Sequence, residues 1–133
     1  MAYEFSKKSL ERLEGVHPDL IRVAVRALSL SPLDFSITQG VRTLEQQKEL
    51  YAQGRTKPGK KVTWTMKSKH LPQADGFSHA VDFGVHVDGE LTWDEKFYLL
   101  VGPFFERGAD ELGVKVEWGG RWKKKDLPHI QLA

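Results

Sequence analysis

An alternating stretch in the middle of the chain constrains the fold most strongly. Residues 79–87 alternate in character, as expected for a β-strand whose successive side chains point to opposite faces of a sheet. Asp88-Gly89 follows directly, and this dipeptide favours a tight hairpin turn. Leu91 and Thr92 begin the returning strand. The centre of the chain is therefore predicted to form part of an antiparallel sheet.

Helices are predicted on both sides of this hairpin. Apolar residues at helical spacing follow Pro18, which suits the first turn of a helix, and Ser31-Pro32 ends that pattern. Thr43 with Gln46 resembles a capping box, in which side chains and backbone amides pair reciprocally at a helix start. This second helix is predicted to end at Gly54.

A third helix is predicted after the hairpin. Thr92 with Glu95 is another capping-box pattern, and the apolar segment that follows ends at Gly113. Gly102-Pro103 lies inside this segment and predicts a kink or a break into two helices, because proline lacks an amide hydrogen.

Three more short strands complete the predicted fold. They cover residues 35–38, 114–118 and 129–132, and Gly119-Gly120 is expected to form a flexible connection. Helices packed against a small, mostly antiparallel sheet make an α+β fold. A chain of 133 residues is expected to form a single domain, residues 1–133.

The composition narrows the possible chemistry. The chain has no cysteine, which excludes disulfides, thiolate ligands and a cysteine nucleophile, so a metal site would need histidines and carboxylates. No apolar run approaches the roughly 20 residues that span a bilayer, so no membrane insertion is expected. The N-terminus lacks a signal-peptide pattern, and we expect synthesis in a cytoplasm with another route of exit.

Positive charge is unevenly distributed, although the net charge is only +2. Two segments carry half of the lysines and arginines, and we name them the basic loop (residues 55–69) and the basic C-terminal segment (residues 121–125). Such clusters favour an anionic partner, for example nucleic acid, acidic lipid or a cell-wall polymer. A solvated surface that keeps the protein soluble would explain them equally well.

Asp82 is the first candidate site residue. It lies within the predicted strand on the same face as Ala80, Gly84 and His86, and an unpaired charge among apolar neighbours is costly. A metal ion would neutralise this charge. Hydrogen bonds from the backbone or pairing with a lysine would do so too, and Asp82 alone does not decide between them.

The C-terminal segment adds a second candidate group. Asp126 precedes His129 by three residues, and Pro128 stiffens the backbone between them. A metal hydrolase needs three protein ligands, an open position for water and a base beside that water. His70, Asp82 and His129 could be the ligands and Asp126 the base. Spacing alone does not prove this, because the segments are far apart along the chain.

Taken in order, these segments resemble a known family. The relevant motifs are Ser68-x-His70, His79-Ala80-Val81-Asp82 and Asp126-x-x-His129, preceded by Gln39-Gly40-Val41-Arg42-Thr43 and Glu45-Gln46-Gln47. Together they resemble the D-alanyl-D-alanine carboxypeptidase family of zinc peptidases, which includes VanY-like enzymes and phage L-alanyl-D-glutamate endopeptidases. The resemblance covers residues 28–132.

The resemblance implies roles for individual residues. It makes His70, Asp82 and His129 the ligands of Zn²⁺ and Asp126 the general base, and it makes Arg42 the group that holds the substrate carbonyl and its developing oxyanion. The interval between His70 and Asp82 is longer than the family's shortest form, which makes His79 a rival ligand.

Other residues are expected to play lesser parts. His79 should face away from Asp82 and support the site or line a groove, whereas His86 is expected at the surface and His17 in local capping or packing. Among the tryptophans, the core is favoured for Trp118, and substrate contact is possible for Trp122 and Trp64.

The implied substrate is the stem peptide of bacterial peptidoglycan. We expect a monomeric L-alanyl-D-glutamate endopeptidase, a phage endolysin that is made in the host cytoplasm, crosses through a holin pore and acts at the cell wall. The alternatives are a D-alanyl-D-alanine carboxypeptidase or dipeptidase, and a non-catalytic, zinc-stabilised module that binds the cell wall. No nucleic-acid partner is expected, since the basic loop lacks regularly interleaved aromatic residues.

Overall fold

The computed structural model describes residues 3–63 and 65–133. In these ranges the helices are α1 (Lys7–Arg12), α2 (Pro18–Leu30), α3 (Leu44–Ala52) and α4 (Glu95–Leu112). The strands are β1 (Asp34–Gln39), β2 (Ala80–Val87), β3 (Glu90–Thr92), β4 (Val116–Trp118) and β5 (His129–Leu132). The prediction for Trp64 lies outside the described residues.

The strands form one antiparallel sheet in the order β1-β2-β5-β4, with β3 paired to the end of β2. One edge of β2 pairs with β1 along most of its length. Its other edge is shared, because β5 pairs with residues 80–82 and β3 with residues 85–87. This register places Asp82 directly opposite His129.

The core lies between the sheet and the helices α2 and α4, which pack against each other. Val81, Phe83 and Val85 alternate along β2 and are fully buried on its core face. Aromatic rings fill much of the space, with centroids 4.8 to 5.5 Å apart. These rings belong to Phe35, Phe83, Tyr98 and Phe105. Burying such large apolar surfaces supplies the main driving force for this fold.

The α+β fold, the central hairpin and the capping box of α3 are confirmed. Asp88 and Gly89 both have positive φ, 52° and 80°, as a tight hairpin with this dipeptide requires. At the start of α3, the Thr43 side chain accepts a hydrogen bond from the Gln46 amide, and the Gln46 side chain accepts one from the Thr43 amide.

Several details of the predicted secondary structure differ from the structure. The flexible connection expected at Gly119-Gly120 is instead a short 3₁₀ helix, Gly119–Arg121, with both glycines buried. Helix α1 was not expected; it is short and is capped by Ser6. Helix α4 is capped by Asp94 rather than Thr92, because Thr92 is the last residue of β3. Of the kink or break predicted at Gly102-Pro103, the break into two helices is absent, since α4 runs through Pro103 as one helix. Gly102 packs so closely on Trp118 that an added Cβ would lie 2.1 Å from its ring.

None of the helices within the described ranges combines the length and apolar character that crossing a bilayer requires.

Candidate active site

Three side chains from distant parts of the chain meet at one point. The pairing of β2 with β5 sets the Asp82 Oδ1 atom 3.1 Å from His129 Nδ1. His70 reaches the same Oδ1 atom from the loop before β2, with its Nε2 atom at 3.2 Å. The possible ligand atoms of the three residues all lie within 4.8 Å of one another. Such a cluster is compact enough to surround one cation.

In each histidine, one ring nitrogen faces Asp82 and the other points away from it. The hydrogen bond of the nitrogen that points away determines whether the one facing Asp82 carries a proton. His70 Nδ1 lies 2.8 Å from the carbonyl oxygen of Gly40, which only accepts hydrogen bonds, so this nitrogen carries the proton. His129 Nε2 lies 2.9 Å from the Oε1 atom of Gln131 and donates to it. In the neutral imidazoles, a lone pair from each ring therefore faces Asp82. Two imidazole nitrogens and a carboxylate oxygen are a donor set that suits Zn²⁺.

The electrostatics of this cluster favour positive charge. Burial by itself would raise the pKa of Asp82, but the contacts with His129 and His70 outweigh it and hold that pKa well below the ordinary range. Burial likewise opposes the charged form of His129, yet Asp82 raises the pKa of His129 above its ordinary value. Both shifts follow from the position of the Asp82 carboxylate beside the two rings, and a bound cation would also neutralise this negative charge.

Asp126 lies beside this cluster without joining it. Its Oδ2 atom is 3.9 Å from His129 Nδ1, and 52% of its side chain is exposed. Its backbone is held by hydrogen bonds from the Asp126 amide to the Gly119 carbonyl and from the His129 amide to the Asp126 carbonyl, at 3.0 and 3.1 Å. A carboxylate at this distance is suited to exchange a proton with a group bound at the cluster.

The pKa of Asp126 is raised above the ordinary aspartate value. Partial desolvation against the wall of the site is the main cause, and the negative charge of Asp82 adds to it. A higher pKa makes Asp126 a stronger proton acceptor than a fully hydrated aspartate.

Arg42 is buried in the same site, with 7% of its surface exposed. Its guanidinium donates to the Gln47 and Gln39 Oε1 atoms at 2.7 and 2.8 Å, and its Nε atom is buried without a hydrogen-bond partner among the described residues. Burial lowers the pKa of Arg42, and the charges of Asp82 and Asp126 oppose that shift. Because the two glutamines are neutral, they orient the guanidinium without neutralising it.

The supporting role of Gln47 was missed by the sequence analysis. Its side chain is fully buried, accepts from Arg42, and donates to the Thr63 Oγ1 atom at 3.1 Å and to the Thr65 carbonyl. It therefore ties α3 to the basic loop beneath Arg42. The sequence carries no signal for this role, because glutamine in a helix with few apolar residues is usually exposed.

Ser68 stabilises the loop and also contacts the site. Its Oγ atom accepts from the His70 amide at 3.1 Å and lies 3.5 Å from Arg42 Nη1. The Arg42 amide in turn donates to the His70 carbonyl at 2.9 Å. These bonds couple the positions of Arg42 and His70.

The remaining histidines lie outside the cluster. The Nε2 atom of His79 is 2.7 Å from Asp75 Oδ2, and its ring packs edge-on against His17, with the centroids 5.4 Å apart. His17 accepts from the Asp19 amide and caps α2. His86 is half-buried, and its Nε2 atom is 2.9 Å from the Ser36 hydroxyl.

The two tryptophans near the C-terminus lie in different surroundings. Trp118 is buried in the core, and its indole nitrogen donates to the Leu127 carbonyl at 2.7 Å. Trp122 packs against the ring of His129, with the centroids 5.3 Å apart. Trp122 therefore forms part of the site wall.

The site opens into a cavity of about 660 Å³. His70, Asp82, His129, Asp126 and Arg42 all line it. The five residues singled out from the sequence therefore share one accessible space, large enough for a short peptide segment.

Comparisons with known proteins agree with this architecture. A family model described as phage L-alanyl-D-glutamate peptidase matches residues 1–131. The chain is 36% identical over 133 residues to the L-alanyl-D-glutamate peptidase of Escherichia phage T5, covering 99% of this chain and 90% of that protein. It is also 36% identical over 111 residues to the peptidoglycan L-alanyl-D-glutamate endopeptidase CwlK of Bacillus subtilis (strain 168), covering 75% of this chain and 61% of that protein.

A solved structure is similar over nearly the whole chain. The crystal structure of the Serratia marcescens L-Ala D-Glu endopeptidase ChiX matches with a TM-score of 0.83 and 37% identity, covering 99% of this chain and 91% of that one. The resemblance drawn from the motifs is thereby confirmed. The chain belongs to the phage L-alanyl-D-glutamate peptidase family.

Proposed function

We propose that this protein is a zinc-dependent peptidase that hydrolyses the bond between L-alanine and D-glutamate in the stem peptides of bacterial peptidoglycan. The convergence of His70, Asp82 and His129, with Asp126 at 3.9 Å from His129, carries the proposal. The relatives named for this same peptide bond indicate which bond is cut.

His70 Nε2, His129 Nδ1 and the Asp82 carboxylate would hold the metal. Hydrogen bonds from His70 Nδ1 to the Gly40 carbonyl and from His129 Nε2 to the Gln131 side chain fix the orientation of both imidazole rings. Bound zinc supplies Lewis-acid chemistry, since it acidifies a water molecule and polarises a carbonyl group.

Asp126 acts as the general base in this proposal. It accepts a proton from the attacking water as the water oxygen bonds to the alanine carbonyl carbon. It then returns the proton to the glutamate nitrogen as the carbon–nitrogen bond breaks. Its raised pKa favours the first transfer, and its half-exposed side chain leaves it free to reorient between the two. No covalent intermediate with the protein is required.

Arg42 stabilises the negative charge that develops on the carbonyl oxygen. Its guanidinium is held by Gln39 and Gln47 before substrate arrives, so little reorganisation is needed in the transition state. The absence of a carboxylate among these partners keeps its charge available.

We further propose that the whole chain works as one monomeric peptidase domain at the bacterial cell wall, without a nucleic-acid partner. The substrate bond is part of the wall, so the protein must reach it there to act as an endolysin. A single cavity holds all the assigned residues, which supports a self-sufficient domain.

The test is digestion of purified peptidoglycan, with mass spectrometry of the new termini and metal analysis of the protein. We expect new amino-terminal glutamate, stoichiometric zinc and loss of activity with a chelator. Free D-alanine as the sole product would instead support a D-alanyl-D-alanine carboxypeptidase. Zinc binding without any cleavage would support a cell-wall-binding module.

A further inference from the structure

Lysines from two separate segments border the cavity above the candidate metal centre. Lys61, Lys67 and Lys69 come from the basic loop, and Lys124 and Lys125 from the basic C-terminal segment. These two segments are distant in sequence, and the fold brings both to the same opening. None of these lysines takes part in the proposed hydrolysis.

The cavity therefore carries a strong excess of positive charge. Six lysine and arginine side chains line it, against the two carboxylates of Asp82 and Asp126, which the catalytic site already uses. Among the described residues, no carboxylate lies within ion-pair distance of Lys67, Lys69 or Lys125. A concave surface of one sign concentrates ligands of the opposite sign.

Two of these lysines are fixed very close to the reacting groups. Lys69 immediately precedes His70, and Lys125 immediately precedes Asp126. Neighbouring Cα atoms are about 3.8 Å apart, so the backbones of both lysines are tied to the site. The Lys69 carbonyl also accepts from the His79 amide at 2.8 Å, which anchors this part of the loop. Their flexible side chains are long enough to reach a substrate held over the metal centre.

The substrate of the proposed function carries a negative charge at the matching place. Glutamate has two carboxyl groups, and its nitrogen forms the scissile bond with alanine. Only one carboxyl group continues the peptide, so the other remains a free carboxylate within a few bonds of the leaving nitrogen. A substrate bound for cleavage must bring this carboxylate into the lysine-bordered cavity.

We propose that Lys67, Lys69 and Lys125 bind the free carboxylate of the substrate's glutamate residue, and so make the enzyme selective for the acid over the corresponding amide. The inference rests on the proposed function, since it identifies the ligand of the same site. It assigns the lysines to substrate selection and leaves the chemical step to Asp126 and Arg42.

The test compares two synthetic stem peptides that differ only in this group, one with the free carboxylate and one with a carboxamide. We expect wild-type kcat/KM to be about tenfold higher for the acid, which corresponds to about 1.4 kcal/mol. The variant Lys67→Gln/Lys69→Gln/Lys125→Gln should lose this preference by slowing cleavage of the acid alone. Lys8→Gln, an exposed lysine on α1, is the matched control and should behave as wild type.

A third peptide, amidated only at its far carboxyl end, separates local recognition from general attraction. It should be cleaved like the free acid if the lysines contact the glutamate carboxylate. Equal wild-type rates on the first two peptides, or an equal loss on both in the triple variant, would overturn the inference.

A binding measurement keeps the inference separate from the proposed function. Isothermal titration of zinc-loaded Asp126→Ala protein with the acid and amide peptides does not depend on turnover. Preference for the acid that the lysine substitutions remove would support carboxylate recognition, even if the active enzyme cut a different bond. Equal binding of both peptides would overturn it, even if the alanine–glutamate bond were cut.

Discussion

The two sides of the candidate site are held by different means. On the sheet side, Asp82 and His129 are directly opposed on β2 and β5, so the backbone ladder positions them. On the loop side, His70 is held by hydrogen bonds with Gly40, Ser68 and Arg42. A sheet register changes only if the fold changes, whereas a loop held by a few bonds can shift by itself. Damage to the backbone packing of the sheet side should therefore cost stability, and damage to the hydrogen bonds that hold the loop side should cost metal affinity.

The largest expected effect distinguishes Asp126, just before β5, from His129 on the sheet side. Asp126→Ala should lower kcat by about 10²- to 10⁴-fold while zinc remains bound, because a general base is lost but no ligand is. His129→Ala should lose both zinc and activity. Peptide hydrolysis and metal analysis of each variant provide the measurement. Full activity in Asp126→Ala would show that the role of the base is wrongly assigned.

The next largest effect is expected for Gly119→Ala, a substitution that tests how strongly the sheet side depends on backbone packing. An added Cβ at Gly119 would lie 2.1 Å from the Asp126 carbonyl oxygen, so Gly119→Ala must displace the turn that carries the base. We expect a loss of about 1–3 kcal/mol in the free energy of unfolding, together with reduced kcat. Urea denaturation measures the first and peptide hydrolysis the second. Wild-type stability in this variant would contradict a rigid sheet side.

A substitution on the loop side should lower zinc affinity and change stability little. Ser68→Ala removes the acceptor of the His70 amide and a neighbour of Arg42, and zinc affinity should fall about tenfold. The free energy of unfolding of the zinc-free protein should change by only about 1 kcal/mol. Competition with a chromogenic chelator measures the affinity, and Ser29→Ala on α2 is the control. A large loss of stability with unchanged affinity would reverse the proposed contrast.

The smallest effect concerns Asp75, which anchors the far end of the same loop. The pKa of Asp75 is lowered mainly by a hydrogen bond from the Phe77 amide, and a hydrogen bond with His79 adds to this effect. A carboxyl group with a lowered pKa stabilises the folded state above its unfolded pKa of about 3.9, and this contribution is lost as the pH falls through the folded value. Asp75→Asn should therefore lower Tm slightly at neutral pH, and the difference from wild type should shrink in acid.

Thermal denaturation across the pH range measures this difference. Asp110→Asn, an exposed aspartate on α4, is the control and should show no such dependence. A Tm difference that persists unchanged below the ordinary aspartate range would mean that the charge of Asp75 does not anchor the loop.

Local sequence signals predicted much of the fold because their physics is local. The Asp88-Gly89 turn and the Thr43–Gln46 capping box depend on residues within a few positions of each other, and both are present. A break at Pro103, one of the two outcomes expected there, is absent, and the close contact between Gly102 and Trp118 at this point involves residues remote along the chain. Helix α1 escaped prediction because six residues with few apolar positions give little periodicity.

The candidate site, too, was predicted in part from the sequence. Residue types and motif order identified His70, Asp82, Asp126, His129 and Arg42 as candidates, but no local pattern pointed to the support that Gln47 gives Arg42. That support depends on a helix face turned toward the guanidinium, which periodicity alone does not reveal.

The sequence by itself determined the kinds of groups available. Without cysteine, a metal site had to use histidine and carboxylate, and strand alternation placed Asp82 on one face of β2. Only the tertiary structure decided that His129, 47 residues away, stands opposite Asp82, and that lysines of two basic segments border one cavity. The physical reason is that strand register and loop anchoring are contacts between remote segments, whose energies depend on the assembled fold.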